Sequence, residues 1–401
     1  MSAEGHARPT WVQVDLDALR HNAQLLSARF SPTVVCAVVK ANAYGHGAVP
    51  TATALLEGGA EGLAVALVDE GIELRQGGIT APILLLSEPT KDSMVAVLAA
   101  VLTPTLTTIE GVQAAADAAK QIGSKNPVHV KIDTGMNRMG VKPEETQALL
   151  DEIAKYDQLI LEGIWTHFSV ADEEGDESIR FTKQQLELFE DAVRRAKDQG
   201  VEPPVLHVAN SAGALTYRDA RLSMVRVGLA LYGLSPNPSV TTLAELEAPL
   251  PLEPALSIRS QVIAVRDVEP GARPSYGRKR PMPHAGRVVT IPIGYADGFP
   301  RALYAAGQDV LIRGRRFPLA GMVTMDQLVV DVGDAPVEVG DEVVLLGRQG
   351  NEEIPVAEWA DHLNTIAWEV VCGIGDRVPR RYAGTEVGEA PKAKRRWWRP
   401  S

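Results

Sequence analysis

VVCAVVK (34–40), GLAVALV (62–68), PILLLS (82–87), LTPTLT (102–107), VHVKID (128–133), LILEGIWTHF (159–168), PVLHVA (204–209) and SMVRVGL (223–229) recur through the first two-thirds of the chain. Parallel strands are covered on both faces, so they read as nearly unbroken apolar runs rather than alternating ones. LTPTLT is the weak member, because Pro104 interrupts it. Helical patterns separate the runs. Residues 69–76 are closed by Gly77 and Gly78. Thr107 and Glu110 have the spacing of a capping box that opens a helix toward Gln121. Residues 179–199 carry Leu186, Phe189, Val193 and Ala196 on one face, with Gly200 just past the end. Eight strand–helix units in succession predict an α/β fold, a (β/α)8 TIM-like barrel. A doubly wound open sheet is the alternative, and eight consecutive units favour closure.

Beyond Leu234 the alternation stops. SPNPS and EAPLPLEP form a Pro-rich linker. SIRSQVIAVRDV, GRVVTIPIGYA, QDVLIRG, RRFPLAGMV, QLVVDVG and DEVVLLG follow, punctuated by Gly, Pro and Asp, and predict an all-β domain with short helices near 357–362 and 365–371. WVQVDL (11–16) has no barrel slot and is assigned to the β domain. The expected organisation is a barrel over 1–240, a β domain over 241–382 and a disordered basic tail over 383–401.

Composition narrows the function. The 401 residues are 45% hydrophobic and 23% charged, with a net charge of −11. That balance fits an ordinary globular protein and argues against nucleic-acid binding, which needs a basic footprint. Only the segment from Ala383 to Ser401 is basic, at +3. No run approaches the roughly 20 apolar residues of a membrane span. MSAEGHARPT lacks a secretory signal's basic and apolar regions, which predicts a cytoplasmic protein. Cys36 and Cys372 are too few for a disulfide framework or a four-cysteine zinc site, and no HExxH motif or carboxylate–histidine cluster suggests a metal.

A barrel enzyme works at the C-terminal ends of its strands. Those ends carry Lys40, then Lys131 and Asp133 with Arg138 nearby, His167, His207 with Asn210 and Ser211, and Arg226 with Gly228 and Leu229. A lysine walled by apolar residues loses its proton more readily and can form a Schiff base; a strand-end lysine can equally snorkel into water. Loops after the seventh and eighth strands often hold phosphate through backbone N–H groups and a hydroxyl; Asn210, Ser211 and Gly228 sit there, and two ordinary turns would look the same. Arg226, inside an apolar strand, faces either a ligand acceptor or a buried ion partner. His167 lies between aromatic Trp165 and Phe168, as many core histidines do. In the β domain, PSYGRKR with Tyr276, IPIGYADGFPR with Tyr295 and GMVTMDQ with Met325 are unusually polar or turn-rich; hairpin chemistry accounts for each on its own.

Taken together and in order, VVKANAYGHG, VKIDTGMNRMG, THFSVADE, HVANSAG, VRVGLALYG, SYG, IPIGYADG, VTMDQ and NTIAWEVVCGIGDRVPRRY resemble the alanine racemases, pyridoxal-phosphate enzymes built from a barrel and a β domain. The resemblance runs from about Trp11 to Tyr382. It implies a head-to-tail homodimer with shared active sites, an amino-acid substrate, and D-alanine made for peptidoglycan. Lys40 would hold pyridoxal 5'-phosphate as a Schiff base. Tyr44, Ser211, Gly228 and Leu229 would hold its phosphate, with Asn210 beside them. Arg226 would donate to the pyridine nitrogen, and His167 would support the ring and Arg226. Tyr276 of the other protomer would be the second base. Arg138 and Met325 would position the substrate carboxylate or a cofactor oxygen, and Tyr295 would line the entrance. Lys131 matches a lysine that is carbamylated in some members.

The residue types suit the chemistry. Racemisation needs a base on each face of Cα, and Lys40 and Tyr276 would be that pair. An ordinary phenol, with a pKa of about 10, is a poor base at neutral pH and needs cations nearby. Arginine donates a hydrogen bond without giving up its proton. Two positions depart from the family: Thr324 stands where Cys is common, and Asp376 stands where some members place a phosphate-contacting tyrosine. An ionised carboxylate repels phosphate. A serine or broad-specificity racemase is therefore the alternative, and a decarboxylase of the same architecture is a third reading that SYG and GYADG disfavour.

Overall fold

The computed structural model describes residues 8–236, 250–388 and 397. Most of the Pro-rich linker and of the basic tail expected from the sequence lies outside the described residues. The described chain divides into two compact units. One holds 16–43, 47–236, 250–253, 386–388 and 397; the other holds 8–15, 44–46 and 254–385.

The first unit is the barrel. After β1 (Thr10–Asp15), which belongs to the other unit, come β2 (Val34–Val38), β3 (Gly62–Val65), β4 (Ile83–Leu85), β5 (Thr105–Leu106), β6 (Asn126–Lys131), β7 (Leu159–Trp165), β8 (Val205–His207) and β9 (Met224–Val227). All pair in parallel, in the orders β4-β3-β2-β9 and β5-β6-β7-β8. Leu85 N donates to the Thr103 carbonyl and Thr103 N to the Ile83 carbonyl, joining β4 to the chain just before β5, and Ser223 and Arg226 donate to Leu206 and Ala209 between β8 and β9. The ring is therefore closed, and the open sheet is ruled out. The weak run interrupted by Pro104 does form a strand, but only of the two residues that follow the proline, Thr105–Leu106. Of the helices, Ile109–Ile122 is capped by Thr108, whose side chain accepts from Gly111 N, and not by Thr107 as the spacing suggested. Thr107 bonds Glu88 instead, and the Thr108 hydroxyl donates to Glu88 while it caps. Asp176–Asp198 starts three residues earlier than its apolar stripe implies, and Gly200, at φ 84°, lies just past its end.

In the second unit, a seven-stranded sheet has the order β14-β13-β16-β10-β1-β18, with β17 (Glu352–Ile354) on β16. Its other strands are β10 (Leu256–Gln261), β13 (Asp309–Ile312), β14 (Arg315–Pro318), β16 (Glu342–Gln349) and β18 (Arg380–Ala383). β1 pairs antiparallel with β10 and parallel with β18. A second sheet joins β11 (Ala264–Val268), β12 (Gly286–Ile291) and β15 (Leu328–Gly333). Of the tail, Trp397 is buried, and a Cβ on Gly62 would lie 2.3 Å from its ring. Among the described residues no helix is long and apolar enough to cross a membrane.

Candidate active site

Lys40 ends the apolar run of β2, and the chain then does something that its sequence does not announce. Ala41, Asn42, Ala43 and Tyr44 all have φ near 52°, a full left-handed turn without a glycine. Each such residue costs roughly 1–2 kcal/mol, so the turn needs outside support. Glu70 supplies it: Oε1 accepts from Ala41 N at 2.6 Å, and Oε2 accepts from Ala66 N at 2.8 Å and Leu67 N at 3.0 Å. Asn42 Oδ1 takes Ala48 N at 2.7 Å. The turn fixes the backbone directly after Lys40 and swings Tyr44–His46 into the other unit. There Gly45 is pressed against Val371, where a Cβ would lie 2.5 Å from the carbonyl oxygen. Burial pushes the Tyr44 phenol up, with Cys372 adding to the effect.

Arg226, on β9, is 2% exposed and makes no ion pair with a carboxylate among the described residues. Nη1 donates to His207 Nδ1 at 2.8 Å and to the His207 carbonyl at 3.2 Å. Nη2 donates to the carbonyls of Thr166 at 2.8 Å and Val208 at 3.0 Å, and to His167 Nδ1 at 3.0 Å. Its guanidinium lies 4.5 Å above the Trp165 ring. Both terminal nitrogens are thus committed to the barrel, while Nε makes no hydrogen bond among the described residues. Burial lowers the Arg226 pKa to about 9, still above neutrality.

His167 gathers the remaining barrel candidates. Burial first, then the charges of Arg226, Lys131, Arg138 and Lys40, push its pKa well below the ordinary value. The ring is neutral at pH 7. Because arginine only donates, His167 Nδ1 accepts and its proton sits on Nε2. Lys131 is 4.8 Å from the centre of the Trp165 ring, and burial, Arg138 and Arg226 lower its pKa to about 8. Arg138 itself is exposed, at the end of a loop that Asp133 Oδ1 holds through Gly135 N and Asn137 N, both at 3.0 Å. At the next strand ends, Gly228 N donates to Ser211 Oγ at 2.9 Å. Asn210 caps the helix Ser211–Thr216 by accepting from Gly213 N at 2.9 Å, so its side chain is spent on the fold. Leu229 is buried beside Gly228.

In the β unit the three phrases singled out from the sequence come together. Tyr295 N and Ala296 N donate to the carbonyls of Thr324 and Met325, both at 3.0 Å. Gly294 permits this approach, because a Cβ there would lie 2.3 Å from the Thr324 oxygen. Ser275 Oγ donates to the Met322 carbonyl at 2.5 Å, bringing the SYG turn onto the same ridge. Asp297, fully buried, anchors the ridge by accepting from Gly294 N at 3.0 Å and taking both Arg8 terminal nitrogens, at 2.8 and 2.9 Å. On this base Tyr276, Met325 and Tyr295 stand 74%, 52% and 43% exposed. Asp376 is also exposed, and its charge acts on Arg380.

Sequence reasoning passed over Glu70, Glu162, His129 and Trp165. Glu70 carries the helix-start signal of an acid in a first turn, which hides its second job. Among the described residues no group of three or more His, Cys, Asp or Glu side chains could hold a metal ion.

Comparison with known proteins agrees with this architecture. Residues 14–236 match the model of the alanine racemase N-terminal domain, and 255–382 that of the C-terminal domain. An alanine racemase of Symbiobacterium thermophilum is 46% identical over 378 residues, 94% of this chain and 98% of that protein. The solved alanine racemase of Clostridium difficile 630 superposes with a TM-score of 0.87 at 38% identity, covering 94% of this chain and 97% of that one. A histidine racemase from Leuconostoc mesenteroides is similar at lower identity, 28%, with a TM-score of 0.84 over 96% of this chain and all of that one.

Proposed function

The chain belongs to the alanine racemase family, and from that premise we propose how its residues divide the work of interconverting L- and D-alanine. The observation that carries the reading is Arg226. A buried guanidinium with no carboxylate partner and an uncommitted Nε among the described residues is built to meet a neutral acceptor such as a pyridine nitrogen. The donor set fits pyridoxal phosphate: Lys40 offers the amine, Arg226 the ring contact, and Ser211, Gly228, Leu229 and Tyr44 the phosphate contacts, with Asn210 and His167 setting the local backbone and ring edge. When bound, pyridoxal phosphate withdraws the charge that builds at Cα as the proton leaves.

The protein's own groups do the rest. Lys40 takes or returns the α-proton on one face. Tyr276 does so on the other, reaching in from the partner protomer of a homodimer, with Arg278 and Lys279 supplying positive charge a few residues away, Arg280 being paired with Asp331. Arg226 remains charged at pH 7, donates without giving up its proton, and so restrains full protonation of the ring. Arg138 and the Met325 backbone hold the substrate carboxylate, and Tyr295 narrows the way in. Lys131, lowered to about 8, has enough neutral amine near pH 8 to take up carbon dioxide as a carbamate, which would pair with Arg138. We place the enzyme in the cytoplasm, supplying D-alanine for peptidoglycan.

Incubation of the purified protein with L-alanine and with L-serine, followed by chiral chromatography, tests the reading. D-alanine should form fastest. D-serine forming at an equal or greater rate would favour the broad-specificity alternative, and absence of D-alanine would overturn the proposal.

A further inference from the structure

Four ionisable side chains with at most 2% exposure form a line through the barrel: Arg226 on β9, His207 on β8, His129 on β6 and Glu162 on β7. Arg226 Nη1 is 2.8 Å from His207 Nδ1, His207 Nε2 is 2.9 Å from His129 Nδ1, and His129 Nε2 is 3.5 Å from Glu162 Oε2. The protons along this line have only one arrangement when both imidazoles are neutral. Arginine has no acceptor, so His207 Nδ1 must be bare and its proton must sit on Nε2. His129 Nδ1 must then accept, which leaves its proton on Nε2, facing the carboxylate. His207 is held neutral by burial and by Arg226.

Two further features serve this line. β6 and β7 slip out of step at this level: Val128 lies opposite Leu161, and His129 opposite Gly163. Glu162 is the extra residue of a bulge, a device that re-aims a side chain. Gly163 then leaves space for the imidazole, since a Cβ there would lie 2.6 Å from the His129 ring. A carboxylate with neither oxygen in a regular hydrogen bond is costly to bury. Packing alone would be served better by an apolar residue of the same size.

We infer that Glu162 is a positioning residue for Arg226, acting through His129 and His207. Arg226 sets the order of the protons, and the charge of Glu162 secures the far end, the His129 Nε2–H, so that the line stays assembled and Arg226 keeps its acceptor at His207 and its Nε edge turned to the ligand. The inference rests on the reading of Arg226 as the group that meets the cofactor ring.

The test reads the tautomers directly. In 15N-histidine-labelled protein, with and without pyridoxal phosphate, His207 and His129 should each show a protonated Nε2 and a bare Nδ1. Glu162→Met should release His129 from its single tautomer, lower kcat by about 10-fold with KM for alanine within about twofold, change the visible absorbance of the bound cofactor, and leave Tm unchanged or raised. Glu162→Asp should restore the tautomers. Should Glu162→Met fail to fold, Gly163→Ala, which displaces His129 from its other side, must shift the same resonances. A wild-type Nδ1–H at either histidine overturns the inference, as does Glu162→Met with wild-type tautomers, kcat and absorbance. Wild-type protein with the stated tautomers but no alanine racemisation overturns the functional reading instead.

Discussion

In the barrel Arg226, the proposed contact to the cofactor ring, is buried and bound before any ligand arrives: it makes five hydrogen bonds, one of which fixes the His167 tautomer. In the β unit the corresponding side chains stand in solvent, with Tyr276 74% exposed on a ridge whose backbone, not its side chains, is rigidly tied. The contrast separates two kinds of preparation. The barrel fixes electrostatics, which requires burial, low dielectric and satisfied donors. The β unit presents exposed side chains, Tyr276 foremost, on a firm backbone base. The proposed pair of bases, Lys40 and Tyr276, puts one base on each kind of preparation.

The largest effects should come from the two residues proposed to move the proton. Lys40→Ala should remove racemisation by roughly 10²–10⁴-fold or more, together with the visible absorbance of the bound cofactor. Tyr276→Phe should cost a comparable factor in both directions yet leave that absorbance and Tm intact, because the exposed hydroxyl supports no part of the fold. Chiral assay and absorbance of the two variants, side by side, sharpen the comparison; loss of absorbance in Tyr276→Phe would blur it. Next comes Glu70→Ala, which strips three N–H groups of their acceptor around the left-handed turn. Urea unfolding should show a loss of about 2–4 kcal/mol, and the turn should become the first place where amides exchange.

The smallest effect is pH-dependent. Burial and neighbouring cations lower Lys131 to about 8 in the fold, below its ordinary value of about 10.4. The folded state therefore disfavours the charged form, and the penalty is complete below the folded pKa and vanishes above the unfolded one. Lys131→Met should raise Tm at pH 6 and change it little at pH 11. Equal changes at both would show that Lys131 is not held as described. Carbamate formation, seen by 13C NMR with labelled bicarbonate, should increase as pH rises through about 8.

The sequence made the barrel legible because parallel strands covered on both sides leave unbroken apolar runs, and the end of each run pointed to Lys40, His167, Ser211 and Arg226. Three features stayed hidden for physical reasons. Ala-Asn-Ala-Tyr carries no glycine to announce a left-handed turn, since Glu70, far along the chain, stabilises it. The bulge at Glu162 depends on pairing with β6, which no local pattern encodes. Thr108 rather than Thr107 caps its helix: Glu88, from a different loop, takes the Thr107 N–H and hydroxyl, while the Thr108 hydroxyl donates to Glu88 and still accepts from Gly111 N. The β-unit phrases were legible as unusual, but their shared ridge depends on Gly294 and Ser275 meeting a distant backbone.

The central claim is that each site joins the barrel of one protomer to the Tyr276 ridge of another. Lys40→Ala and Tyr276→Phe, each inactive alone, should be mixed at equal amounts under conditions that let subunits exchange. In a shared-site homodimer half the dimers are mixed, and each mixed dimer has one intact site. The account predicts recovery of about a quarter of wild-type racemisation. No recovery after demonstrated exchange would contradict it and place both bases on a single chain.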